Sequence, residues 1–212
     1  MFALVVLLAL ACLSQEAWSC SCGIRHPQSV YCDSAIVIRA KFVGQKVSEK
    51  NNHRIEYQIK ATKVFKAPTG YEDIQYLYTA ISESLCGYQH TSTNKSKEFI
   101  IAGHIVDSDV FINSCSFIAP WASLTYCQKR GFTQVYAKNC DCKVKQCYTV
   151  PCELDDDRQC LWTDHLSKQK SAYSGHQAAN SACVSNGNSL CIWDSLKSRI
   201  YSPVTKSATN KV

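Results

Sequence analysis

Beyond its first thirteen residues, MFALVVLLALACL, this chain has no apolar stretch long enough to suggest a membrane helix, and that one falls short of the ~20 residues a crossing needs. Motifs for common chemistries are missing too. None of the six histidines (His26, His53, His90, His104, His165, His176) stands in H-E-x-x-H. There is no G-x-S-x-G elbow, phosphate loop or dinucleotide fingerprint. Most cysteines are committed elsewhere, so no residue pattern asks for an enzyme. No like-charge run exceeds three residues, the densest acidic one being Asp155–Asp157. Aromatics are not paired along a basic stripe, which argues against a nucleic-acid or glycan module. No repeat or low-complexity tract is present.

Cysteine is abundant, with 14 in 212 residues. The apolar opening is followed by Ala17 and Ser19, the small-residue spacing of a signal peptidase site. Residues 1–19 therefore read as a signal peptide, although no Lys or Arg precedes the apolar run. Cleavage leaves a secreted, soluble, extracellular chain of 193 residues beginning at Cys20, and its charge rises from +6 to +7 as Glu16 departs. Thirteen cysteines remain in an oxidising compartment, which reads as a disulfide framework with one cysteine over. Structural zinc is the competing reading for Cys140, Cys142, Cys147 and Cys152. Their x1, x4, x4 spacing does not match paired C-x2-C knuckles.

Hydrophobic periodicity splits the chain. In AIVIRAKFV, Ile36, Ile38, Ala40 and Phe42 share one face, opposite Arg39 and Lys41. RIEYQIKA repeats the alternation, and DIQYLYTA, EFIIAGHIV and VFINSCSFIA supply three more runs. Five strands with one apolar face predict a small closed or nearly closed barrel, a mainly β fold. APWASLTYCQKRGF then predicts a short helix opened by Pro120 and closed by Gly131. Seven of the 13 remaining cysteines fall between Cys140 and Cys191, among few apolar runs. So small a segment depends on cross-links. The expected organisation is a first domain over 20–140 and a disulfide-rich second domain over 141–212, ending in a mobile tail.

The start of the mature chain carries distinctive chemistry. An α-amine titrates near ~7.7–8, so it is readily neutral at physiological pH. Its nitrogen and the carbonyl oxygen of the same residue can close a five-membered chelate on a metal. A catalytic zinc site keeps one position open for water, and such a chelate displaces that water. Disulfides at Cys20 and Cys22 would hold the terminus rigid, with Ser21 pointing a small polar side chain into a neighbouring pocket. On chemistry alone, CSC serves equally well as a plain staple point.

Specific motifs now matter: C-S-C at 20–22, H-P-Q at 26–28, Cys32, V-I-R-A-K-F-V-G at 37–44 and C-G-Y at 86–88. E-F-I-I-A-G at 98–103, C-S-F-I-A-P-W at 115–121, Q-K-R-G-F at 128–132 and C-L-W-T-D at 160–164 follow in order. In this respect the chain resembles the tissue inhibitors of metalloproteinases across its whole mature length, and CGY…NKSKEF, QKRGF and CLWTD resemble the first type most. The resemblance implies a five-stranded, netrin-like OB-fold barrel with short helices and a disulfide-knotted second domain. It implies a non-enzyme that binds matrix metalloproteinases one to one and has no cofactor of its own. Cys20 would be the ligand to the protease's zinc, with Ser21 at the pocket mouth and Cys22 and Gly23 along the cleft. Glu83 and Ser84 would form a second contact strip, and Asp33 a further contact. The implied disulfides are Cys20–Cys86, Cys22–Cys115, Cys32–Cys140, Cys142–Cys191, Cys147–Cys152 and Cys160–Cys183.

That pairing leaves Cys127, as a buried thiol or an intermolecular bridge. Asn94 heads the only N-x-S/T sequon, in a polar loop, and reads as a glycosylation site. Where the family commonly has proline two residues after C-x-C, Ile24 stands, preceded by Gly23 without a side chain. This implies a looser ridge with shifted affinity or selectivity. A progelatinase is a further candidate partner through the second domain, but the acidic tail associated with that capture is replaced by Arg199, Lys206 and Lys211. A growth-factor-like role at a cell-surface receptor is the alternative function. No nucleic acid and no membrane insertion are expected.

Overall fold

The structure is a computed structural model that describes residues 20–49, 51–166 and 172–197. The leader read over 1–19 and the tail from 198 lie outside these. No helix among the described residues is long and apolar enough to cross a membrane.

The first run becomes β1 (Ile36–Val47), and Ile36, Ile38, Ala40 and Phe42 face inward and are buried as their alternation requires. It pairs antiparallel with β2 (Arg54–Lys66), which sets Phe42 opposite Ile59 and Ala40 opposite Ala61. Three register irregularities in this pair bend the ribbon enough to curl the sheet. β3 (Tyr76–Ala80), β4 (Glu98–Val106) and β5 (Asp109–Phe111) follow. The hairpin from β4 to β5 turns at Asp107 and Ser108, both at positive φ, the backbone of a type I′ turn. The sheet runs β1-β2-β3-β5-β4, and β4 pairs back onto β1, closing a ring of five strands. Ring closure removes open edges. Its interior holds Ile36, Ile38, Phe42, Tyr57, Ile59, Ile74, Leu77, Phe99, Ile101, Val110 and Ile112. This is an OB-fold-like β domain.

VFINSCSFIA does not form the one strand its composition predicts. It divides into β5 and β6 (Ile118–Pro120), which adds to β4 outside the ring. Asn113 interrupts it: its Oδ1 accepts from the Cys115 amide at 2.9 Å and its carbonyl from the Ser116 amide at 3.0 Å. Such a side-chain turn competes with ladder pairing. The helix expected from Pro120 also begins later. Pro120 ends β6, and α2 (Tyr126–Arg130) starts at a capping box made by Thr125 and Gln128. Gly131 does not end it; the backbone continues as a π turn to Val135 and a 3-10 turn to Asn139. Glycine stands there for closeness, because a Cβ would lie 2.2 Å from the Tyr136 ring. An unexpected helix, α1 (Pro27–Asp33), is too short to show a period.

The described chain forms two compact units, one of 20–25 with 29–124, the other of 26–28 with 125–197. The boundary between these compact units falls at 124/125. The reason is polar: Gln128 Nε2 donates to the carbonyls of Tyr173 and Ala178, and Thr125 Oγ1 to that of Ala179. The second unit holds a parallel pair, β7 (Lys143–Gln146) and β8 (Gln159–Trp162), and an antiparallel pair, β9 (Ser181–Ser185) and β10 (Cys191–Ser195). α3 (His176–Asn180) precedes β9. Buried Cys142, Cys160, Cys183 and Cys191 cluster there with Val144 and Trp193.

Candidate functional site

Two disulfides, Cys20–Cys86 and Cys22–Cys115, fasten the first three described residues, which have no regular secondary structure, to the barrel. Their Cα–Cα separations are 5.6 and 5.1 Å, ordinary for unstrained placement. The anchor for Cys20 is a tight turn. Residues Glu83–Leu85 form one 3-10 turn, with the Leu85 and Gly87 amides both donating to the Ser82 carbonyl. Cys86 takes the left-handed backbone (φ 60°) that reverses the chain. Gly87 is forced to be glycine, since a Cβ would sit 2.2 Å from the Ala80 carbonyl oxygen. The Ser114 amide donates to the Cys86 carbonyl at 2.9 Å, linking the two anchor points.

The Cys20 sulfur lies 3.7 Å from the Glu83 carbonyl oxygen; being in a disulfide it carries no proton, so this is a packing contact. The structure therefore brings Cys20 and Cys22 alongside Glu83 and Ser84 as one edge. Ser21, Cys22, Gly23, Glu83 and Ser84 are exposed and Cys20 half-buried. Leu85 is 63% exposed in the same turn, a residue the sequence reading passed over. A lone Leu between S-E-S and C-G-Y was its only signal. Asp33 ends α1 and is ion-paired to Arg25 at 3.6 Å. A side chain at Gly23 would meet nothing within 4 Å.

Among the described residues of the second unit, one group of cysteine sulfurs lies close enough together to be considered for a metal. The sulfurs of Cys142, Cys183 and Cys191 lie within 4.8 Å of one another, but each belongs to a disulfide and offers no thiolate. Cys142–Cys191, Cys147–Cys152 and Cys160–Cys183 are formed, and Cys32 and Cys140 are each disulfide-bonded. Cys127 is free and buried. Asn94 is exposed in a turn, its Oδ1 accepting from the Ser96 amide.

Comparison with known proteins decides the family. A sequence model described as "Tissue inhibitor of metalloproteinase" matches residues 18–193. The chain belongs to the tissue inhibitor of metalloproteinase family. Metalloproteinase inhibitor 3 of Scyliorhinus torazame is 39% identical over 194 residues, covering 90% of this chain and 89% of that protein. Metalloproteinase inhibitor 4 of Mus musculus is 38% identical over 88% of this chain and 85% of its own. Metalloproteinase inhibitor 2 of Homo sapiens is 37% identical over 88% and 86%. As a family member, this chain is an inhibitor rather than an enzyme, and metalloproteinases are its partners.

Proposed function

We propose that the chain, secreted and cut before Cys20, inhibits matrix metalloproteinases by placing the Cys20 amine and carbonyl on the protease's zinc. The observation that carries this is the double clamp: two disulfides and the Ser114–Cys86 hydrogen bond hold an exposed edge that begins at Cys20. Rigidity matters because ordering a mobile terminus on binding subtracts from affinity. Once neutral, the amine nitrogen closes the chelate with its own carbonyl and the catalytic water is displaced. Ser21 enters the adjoining pocket, Cys22 and Gly23 follow the cleft, and Glu83 and Ser84 make the second strip. Asp33 is a further contact position. The zinc belongs to the protease and this chain brings no metal.

Within the family we keep the reading of a first-type inhibitor on CGY…NKSKEF, QKRGF and CLWTD; the relatives named above are types 2, 3 and 4.

The test is chemical blocking of the terminus. Acetylating the Cys20 amine, or leaving one extra residue before it, removes the chelate. Inhibition then weakens about a thousandfold, the equivalent of ~4 kcal/mol. An acetylated protein that inhibits as tightly as the free one ends the proposal.

A further inference from the structure

Beside the edge lies a cavity of about 380 Å³, and Leu85 and Cys86 line it. Several chain segments meet there: His53 and Asn51 from the β1–β2 connection, His104 and Val106 from the end of β4, and Asn113 after β5. Its rim is apolar and open, with Leu85 63% and Val106 45% exposed.

The polar lining has one character. No Asp or Glu contributes to it. The Asn51 side-chain oxygen is taken by the His53 amide, and that of Asn113 by the Cys115 amide and the Ser116 hydroxyl. What each asparagine has left to offer is its NH₂. Arg54 also lines the cavity, but its guanidinium is shared with Asp109 at 3.7 Å and stacked 4.5 Å from the Phe111 ring. The imidazoles of His53 and His104 hold no hydrogen bond or ion pair among the described residues. Among the described residues no third metal-ligating side chain joins them, so a metal is not the natural guest. A cavity of uncommitted donors with an apolar rim suits an acceptor: a carboxylate carried on a short side chain.

We infer that this cavity is a selectivity pocket that takes an Asp or Glu side chain from the rim of the bound metalloproteinase. The inference rests on the inhibitory edge proposed above. The cavity shares Leu85 and Cys86 with the strip that includes Glu83 and Ser84, so a protein seated on the edge covers it. His53 and His104 are the selectivity residues, distinct from the zinc-binding terminus.

Inhibition constants for His104→Glu and for His53→Ala/His104→Ala, against a panel of matrix metalloproteinases, test this. The introduced carboxylate weakens binding about tenfold for the proteases that present an acid there, and leaves the others within about twofold. The defect shrinks in about 0.5 M salt, where charges a few ångströms apart are screened. The double alanine variant weakens the same subset by a smaller factor. Thermal unfolding is unchanged, because both imidazoles are exposed. Constants equal to the unmodified protein's for every protease, or one uniform loss across the panel insensitive to salt, overturn the inference. Should the unmodified mature protein inhibit nothing, the zinc-chelation reading falls with it; should it inhibit while both variants match it, only the pocket falls.

Discussion

The barrel and the cysteine-rich unit both keep water out of a small interior, but they are built of different materials. Inside the barrel are hydrocarbon side chains such as Ile38, Leu77 and Ile101, placed by strands that alternate inward and outward. The second unit buries the half-cystines Cys142, Cys160, Cys183 and Cys191 against Val144 and Trp193, alongside aromatics such as Tyr136 and Trp162 and hydrogen-bonded polar groups such as Gln28 and Asp164. Gln28 donates through Nε2 to the carbonyls of Asn139 and Cys183 and accepts from the Cys183 amide. Asp164 accepts from the Trp162 indole and from the amides of Gln177 and Ala178. Apolar burial is indifferent to pH and redox state, whereas cross-links and satisfied polar groups are not. The second unit is therefore the more exposed to acid and to reductant.

The largest expected effect is covalent. Replacing both Cys160 and Cys183 with serine opens a bridge spanning 23 residues of sequence. That costs the second unit roughly 3 kcal/mol. Denaturant titration read by the tryptophans, with Trp162 and Trp193 in the second unit, checks it. The contrast fails if the loss is under about 1 kcal/mol.

Next comes protonation of His26, buried among Tyr136, Trp162 and Trp193. Its Nδ1 accepts from the Gln28 amide, so the ring proton sits on Nε2 and faces the Gln177 carbonyl. Burial lowers its pKa to about 4, against the smaller opposing pull of that carbonyl and of Asp164. In this window the unfolded chain binds a proton at His26 that the folded chain refuses. Stability is whole above about 6.5 and falls as pH drops toward about 4, by up to roughly 3 kcal/mol. Unfolding free energies at several pH values should show that slope, and His26→Phe should flatten it. An unchanged slope in the variant removes His26 as its source.

The smallest effect is the α2 cap. Thr125→Ala removes the hydroxyl that accepts from the Gln128 amide and donates to the Ala179 carbonyl. A loss of about 1 kcal/mol is expected. Thermal unfolding identical to that of the unmodified chain would make this box irrelevant to the second unit.

Much of the barrel was legible in the sequence because period-two alternation is a local signal, and β1 and β2 carry it over long runs. The division of VFINSCSFIA was not, since it depends on what the Asn113 side chain does once folded. Nor was the seat of His26–Gln28, whose partners lie over 100 residues away. Gly131 looked like a helix stop because glycine's commoner use is conformational; here the neighbour Tyr136 needs the space. At the candidate site, the residues alone suggested chelation at Cys20 but could not separate it from a staple, and only resemblance chose Glu83 and Ser84. The His53–His104 cavity left no sequence trace, being assembled from segments far apart in the chain.

The bare position at Gly23 leaves this scaffold adjustable. No neighbouring atom waits within 4 Å for a side chain there, and the backbone is not in the left-handed region. Variety can be grafted onto this spot in a library of substitutions while the cystine frame on its Cys22 side stays untouched, so new recognition can be selected without asking the protein to refold.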